Sequence, residues 1–159
     1  MQSKASPLNP LRSLAATFVV AVGLNYVWEI AQGFLYVGMD YTQGIWWHCF
    51  VASLGDGLLV WIIFLIGWAA FRRSDWFVRP NFGHYTVMLA TGLAIGIAVE
   101  WVAVHLLRRW SYTDAMPLLP GGIGLVPILQ MLLIPPVIFA IVARWGSRRK
   151  TRVGPRARQ

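Results

Sequence analysis

Three carboxylic acids, Glu29, Asp56 and Glu100, sit inside long hydrophobic runs. An ionisable group at the centre of a membrane helix costs about 2.5 to 3.5 kcal/mol on insertion scales, so three facing lipid would consume about as much free energy as stabilises a whole domain. They are therefore expected to face the interior of a helix bundle. No lysine or arginine lies at that depth in any run to neutralise them. Three states are open to them: protonated, sharing protons among themselves, or binding a cation. The first two suit a general acid or a proton relay, and the third an ion or metal site.

Spacing places polar support around them. Asn25, Glu29 and Gln32 recur at i, i+4 and i+7 and line one helical face, as do Gly92, Gly96 and Glu100, while Ser53 shares a face with Asp56. The two glycines would let a neighbouring helix approach closely beside Glu100. At a rise of about 1.5 Å per residue, all three acids lie roughly 6 to 7 Å from the midpoints of their runs, toward the same side, and Gln130 lies at a similar depth. Glu29, Asp56 and Glu100 are thus the candidate catalytic residues, with Asn25, Gln32 and Gln130 as hydrogen-bonding support. Trp28 and Trp101, each next to an acid, are further candidates for binding, through aromatic faces that stabilise a cation. Adjacent helical residues point about 100° apart, which also makes both indoles available for packing or lipid contact. His48 and His105 are the candidate metal ligands, but they lie roughly 12 Å and 7 to 8 Å along their helices from Asp56 and Glu100, too far for one compact site with bonds of about 2 Å. No metal or cofactor is assigned.

These residues are carried by four apolar runs, Ser13 to Tyr36, Cys49 to Phe71, Tyr85 to Leu106 and Ile123 to Ala143, each near the roughly 20 residues that cross a bilayer. The 159 residues are 57% hydrophobic and 13% charged, with a mean hydropathy of +0.57, a balance suited to lipid as solvent. Period-two alternation is lacking, which excludes a barrel. The expected fold is an all-α integral membrane protein, a four-helix transmembrane bundle over residues 13–144. A cytoplasmic segment (1–12) and a basic cytoplasmic tail (145–159) flank it. The first run reads as a retained helix rather than a signal peptide, since it is long and contains Asn25 and Glu29. One cysteine, Cys49, excludes an internal disulfide or a Cys-x-x-Cys site within the chain.

The net charge of +8 is concentrated at the ends of the runs. Lys4 and Arg12 precede the first run, Arg72, Arg73 and Arg79 join the second to the third, and a basic stretch from Arg144 follows the fourth. Only Arg108 and Arg109 fall on the other side. The positive-inside rule then predicts a multi-pass protein of the bacterial inner membrane with both termini in the cytoplasm, and explains the charge without nucleic acid. Tyr36, Tyr41, Trp46, Trp47, Trp110 and Tyr112 form the expected aromatic belt on the opposite side. The turns include Asp40-Tyr41-Thr42-Gln43-Gly44, and Pro135-Pro136 is expected to kink the fourth helix.

The segments Asn25-Tyr26-Val27-Trp28-Glu29-Ile30-Ala31-Gln32, His48-Cys49 with Gly55-Asp56, Glu100-Trp101, Trp110-Ser111-Tyr112, Met116-Pro117 and Gly124-Leu125-Val126-Pro127-Ile128-Leu129-Gln130 resemble a group of small, uncharacterised bacterial four-helix inner-membrane proteins. The resemblance covers most of the chain apart from its ends and implies that these positions work together; it brings no assigned reaction. Asn25-x-x-Trp28-Glu29 alone also resembles small membrane terpene cyclases, longer proteins with more helices, in which an intramembrane acid protonates an isoprenoid epoxide or alkene. That resemblance implies a type of chemistry and carries over no second acid.

The leading expectation is a carboxylate-lined site in the periplasmic leaflet that binds, or acts as an acid on, a lipid-like or isoprenoid molecule, with Glu29 as general acid. Alternatives are a proton- or cation-coupled carrier working as a homo-oligomer, an accessory subunit docked on a partner membrane protein, or a purely structural layer of hydrogen bonds.

Overall fold

In the computed structural model, residues 10–39, 41 and 44–152 are described, with side chains as far as residue 146. Expectations for the N-terminal segment around Lys4, the turn residues Asp40, Thr42 and Gln43, and the basic side chains from Ser147 onward lie outside the described residues. The chain forms α1 (Pro10–Gln32), a single 3₁₀ turn (Gly33–Leu35), α2 (Ile45–Phe71), α3 (Phe82–Trp101) prolonged by a π-helical turn (Val102–Leu106), a small antiparallel hairpin of β1 (Leu118–Leu119) and β2 (Ile123–Gly124), and α4 (Leu125–Arg152). Among the described residues, four segments are long and apolar enough to cross a membrane: Pro10–Leu35, Ile45–Phe71, Phe82–Leu106 and Leu125–Gly146.

The first three helices begin three or four residues before the apolar runs, because helix continues into flanks that cap it. Pro10 occupies a first-turn position, where its missing N–H costs nothing. Asn81 caps α3 reciprocally: its side chain accepts the His84 N–H at 3.1 Å, and its own N–H donates to His84 Nδ1 at 3.1 Å. Helix α4 continues through Pro135 and Pro136.

The bundle sets a polar layer into an otherwise apolar interior and turns large apolar side chains outward. The buried stripe of α1 reads Ser13, Thr17, Ala21, Asn25, Gln32 at helical spacing, with no large apolar side chain in it. Asn25 is 0% exposed and Gln130 2%, whereas Val27 and Leu58 are 65% and 51% exposed. Buried amides beside exposed large apolar side chains is an arrangement that suits a hydrocarbon surrounding.

α1 packs on α2 and α4, and α3 packs on α4. Glycines set the closest approaches. A Cβ on Gly92 would lie 2.3 Å from the Met131 carbonyl oxygen, and one on Gly96 3.3 Å from Ile128 Cα, so α3 and α4 touch backbone to backbone. At the end near the α2–α3 turn, Trp76 and Phe77 fold back into the bundle against Phe64 and Phe139, and the Trp76 indole donates to the Phe64 carbonyl at 3.2 Å. This apolar plug leaves the polar layer toward the opposite end.

Candidate functional site

The polar layer is organised by one amide. Gln130, on the face of α4 turned toward α1 and α2, aims its Nε2 at Asn25 Oδ1 (2.9 Å), Glu29 Oε1 (3.1 Å) and Asp56 Oδ2 (2.9 Å). Its own carbonyl accepts from Gln32 Nε2 at 3.1 Å, and that same nitrogen donates to Glu29 Oε1 at 2.8 Å. Trp28 Nε1 donates to Gln32 Oε1 at 3.1 Å, and Asn25 Nδ2 is spent on the Ala21 carbonyl at 2.9 Å. The donors therefore run in one direction, from indole to Gln32 to Gln130 to the acids. Two N–H groups on Gln130 face three acceptors, so one is shared. Glu29 Oε1 and Asp56 Oδ2 thus converge on the same Gln130 nitrogen. Two carboxyl groups gathered on one neutral amide are placed to share a proton.

Glu100 stands apart, in a cage built from loops. It is 2% exposed; its Oε2 accepts from the Tyr112 hydroxyl and, at 3.3 Å, from the Gly124 N–H. Gly124 also donates to the Tyr112 oxygen at 3.0 Å, and a Cβ there would meet the Tyr112 ring at 3.1 Å, so only glycine lets this phenol lie across the backbone. The hairpin, turned by Gly121 and Gly122 at φ of 91° and 71°, brings Gly124 to this position. Tyr112 is held from the other side by an antiparallel bridge to Tyr36, with Val37 N–H donating to Ser111 O at 3.0 Å and Thr113 N–H to Leu35 O at 2.9 Å. Burial first, and then the bond to Glu100, push the Tyr112 phenol up to about 12. Tyr36, whose ring centroid is 5.6 Å from that of Tyr112, is pushed up by burial and by the charges of Glu100, Glu29 and Asp56.

The structure joins Glu29, Asp56, Asn25, Gln32 and Gln130 through hydrogen bonds and holds Glu100 in a neighbouring cage with Tyr112 and Gly124. Trp28 belongs to the layer. Trp101 does not: it is 49% exposed and packs against His105, because it lies about 100° around the helix from buried Glu100. Ser53 donates to the Phe50 carbonyl of its own helix at 2.7 Å rather than to Asp56. His48 is exposed, and His105 Nε2 pairs with the Gly121 carbonyl at 2.8 Å. Among the described residues no three His, Cys, Asp or Glu side chains are grouped to hold a metal ion.

The belt also divides. Tyr41, Trp46 and Trp47 are exposed, whereas Tyr36, Trp110 and Tyr112 turn inward over the acids. Spacing alone gave no sign of this for Tyr36 and Tyr112, since their bridge joins two loops far apart in sequence. Beside the layer, an outward-open groove of about 540 Å³ runs between α1 and α2, lined by Val22, Gly23, Tyr26, Trp46, Trp47 and Phe50. Val22 and Tyr26 precede Glu29 by seven and three residues, on neighbouring positions of α1, and the acid itself is not among the residues that line the groove. No protein-family model, curated protein or solved structure matches the chain.

Proposed function

We propose that this is a multi-pass protein of the bacterial inner membrane, N-in and C-in, whose Glu29–Asp56 pair in the periplasmic half binds a lipid-like or isoprenoid molecule and transfers a proton to it. Supporting the orientation, Arg72, Arg73 and Arg79 fall at the end of the bundle assigned to the cytoplasm, and exposed Tyr41, Trp46 and Trp47 at the other. The observation that carries the chemistry is the convergence of both carboxyl groups on the Gln130 amide, a neutral donor, in the layer next to the α1–α2 groove face. Neutral donors hold the acids in place without supplying the countercharge that would fix both as anions.

The balanced reaction this arrangement suits is movement of a double bond. Glu29 gives its proton to one carbon of an alkene, Asp56 takes a proton from the carbon next to the resulting cation, and the double bond shifts with no other reactant. Lining the approach, Tyr26, Trp46, Trp47 and Phe50 offer aromatic faces to an isoprenoid chain and to developing positive charge. The test is deuterium labelling: the protein in proteoliposomes with a long-chain polyprenol, in D2O, should place deuterium on carbon. Glu29→Gln and Asp56→Asn should each abolish the label. Absence of carbon-bound deuterium with the wild type would reject acid catalysis on this class.

A second reading is favoured by Tyr36, whose phenol links the pair electrostatically to the Glu100–Tyr112 cage. Such a series suits a proton- or cation-coupled carrier assembled as a homo-oligomer. Cation-dependent thermal shifts, with association in detergent, would support it over catalysis.

A further inference from the structure

The two arginines on the outer side are unexplained by topology. Arg108 and Arg109 lie where the positive-inside rule depletes basic residues, and among the described residues neither is paired with a carboxylate. Their backbone is also unusual. The end of α3 widens so that Leu107 N–H donates to Val102 O at 2.9 Å, and the Arg109 N–H then reaches back to Ala103 O at 2.8 Å. This six-residue closure puts Arg108 at φ 48°, in the left-handed position that helix ends reserve for glycine. Arg72, which ends α2, takes the same conformation at φ 57°, so the turn itself is a helix end, and what sets Arg108 apart is the pocket it lines.

The cation pair lines a pocket of about 510 Å³ together with Trp110, Ser111, Val37 and Val104. The lining thus combines two guanidinium groups and a hydroxyl with two valines. Part of it is fixed by the backbone bond from Val37 to Ser111 and by the Tyr36–Tyr112 bridge. We infer that this pocket binds an anionic phosphate group, with the two guanidinium groups as its charge partners and the valines beside whatever apolar chain the phosphate carries. The site rests on the membrane placement proposed above but not on the chemistry of the Glu29–Asp56 pair.

The test uses the full chain in a neutral detergent, by native mass spectrometry with phosphatidylglycerol and phosphatidylcholine and by thermal shift with inorganic pyrophosphate. At about fivefold per arginine near a membrane surface, phosphatidylglycerol should be retained over phosphatidylcholine by roughly tenfold or more. Arg109→Gln and Arg108→Gly should each remove about fivefold of that preference. Arg108→Gly should meanwhile raise the melting temperature of the lipid-free protein, because glycine fits φ 48°, so loss of binding is separated from loss of fold. Retention that millimolar pyrophosphate leaves intact would identify a lipid headgroup; displacement together with a thermal shift would identify a soluble phosphate. Equal retention of the two lipids with no pyrophosphate shift, or a preference unchanged in both variants, would overturn the site. Flotation of the protein with neutral vesicles reads membrane insertion separately, so a failed site and a failed membrane placement are distinguishable.

Discussion

Replacing Gln130 by Met keeps the length and approximate volume of the side chain and removes its hydrogen bonding. The amide supplies two N–H groups to Asn25, Glu29 and Asp56 and a carbonyl to Gln32. Interhelical hydrogen bonds within membranes average about 0.6 kcal/mol and reach about 1.7, so three such groups give about 2 kcal/mol. Stripping donors from a buried carboxyl pair raises the expected cost to about 3 kcal/mol, since Gln130 is 2% exposed and water cannot readily replace it. Thermal unfolding or denaturant titration in detergent micelles reads this directly. The double variant with Asn25→Ala should cost less than the two singles combined, because both delete the same 2.9 Å bond. A loss below about 0.5 kcal/mol for Gln130→Met, or strict additivity with Asn25→Ala, would refute the hub role of the amide.

Gly92→Ala should destabilise by about 2 to 3 kcal/mol, because its Cβ would lie 2.3 Å from a backbone oxygen that cannot rotate away, while Gly55→Ala, with open space around it, should be neutral or slightly stabilising. Melting temperatures of the two variants in one detergent check the pair. With its phenol pushed up to about 12 from 10.0, Tyr112 keeps its proton more tightly folded than unfolded. Its contribution is fully present below pH 10 and is lost as pH rises from about 10 toward about 12, so melts across this range should fall, and Tyr112→Phe should flatten part of the fall. Gly23→Leu, on the open α1–α2 groove, should leave stability within about 0.5 kcal/mol of wild type and reduce polyprenol labelling in D2O, which equilibrium melts and isotope analysis read side by side.

The four long apolar helices were legible from hydropathy and length, and the inward faces from the helical spacing of their polar residues. Spacing alone aligned Asn25, Glu29 and Gln32, and the depth of Gln130 placed it in the same layer. The separation of Glu100 from the pair was not legible, since it depends on Tyr112 and Gly124 arriving from a loop and a hairpin whose pairing is set by packing. The outward position of Trp101 follows from the roughly 100° that separates neighbours on a helix, which spacing alone already implied. The aromatic plug at Trp76 and Phe77 was hidden in a turn that composition marked only as polar.

The central claim is that the Glu29–Asp56 pair serves a bound lipid-like molecule rather than the fold alone. Native mass spectrometry of the gently extracted protein, with metal analysis, should find a small lipid or isoprenoid on the wild type that is lost from Glu29→Gln at unchanged folding. The same adduct on both forms, a stoichiometric metal in its place, or nothing on either would contradict it.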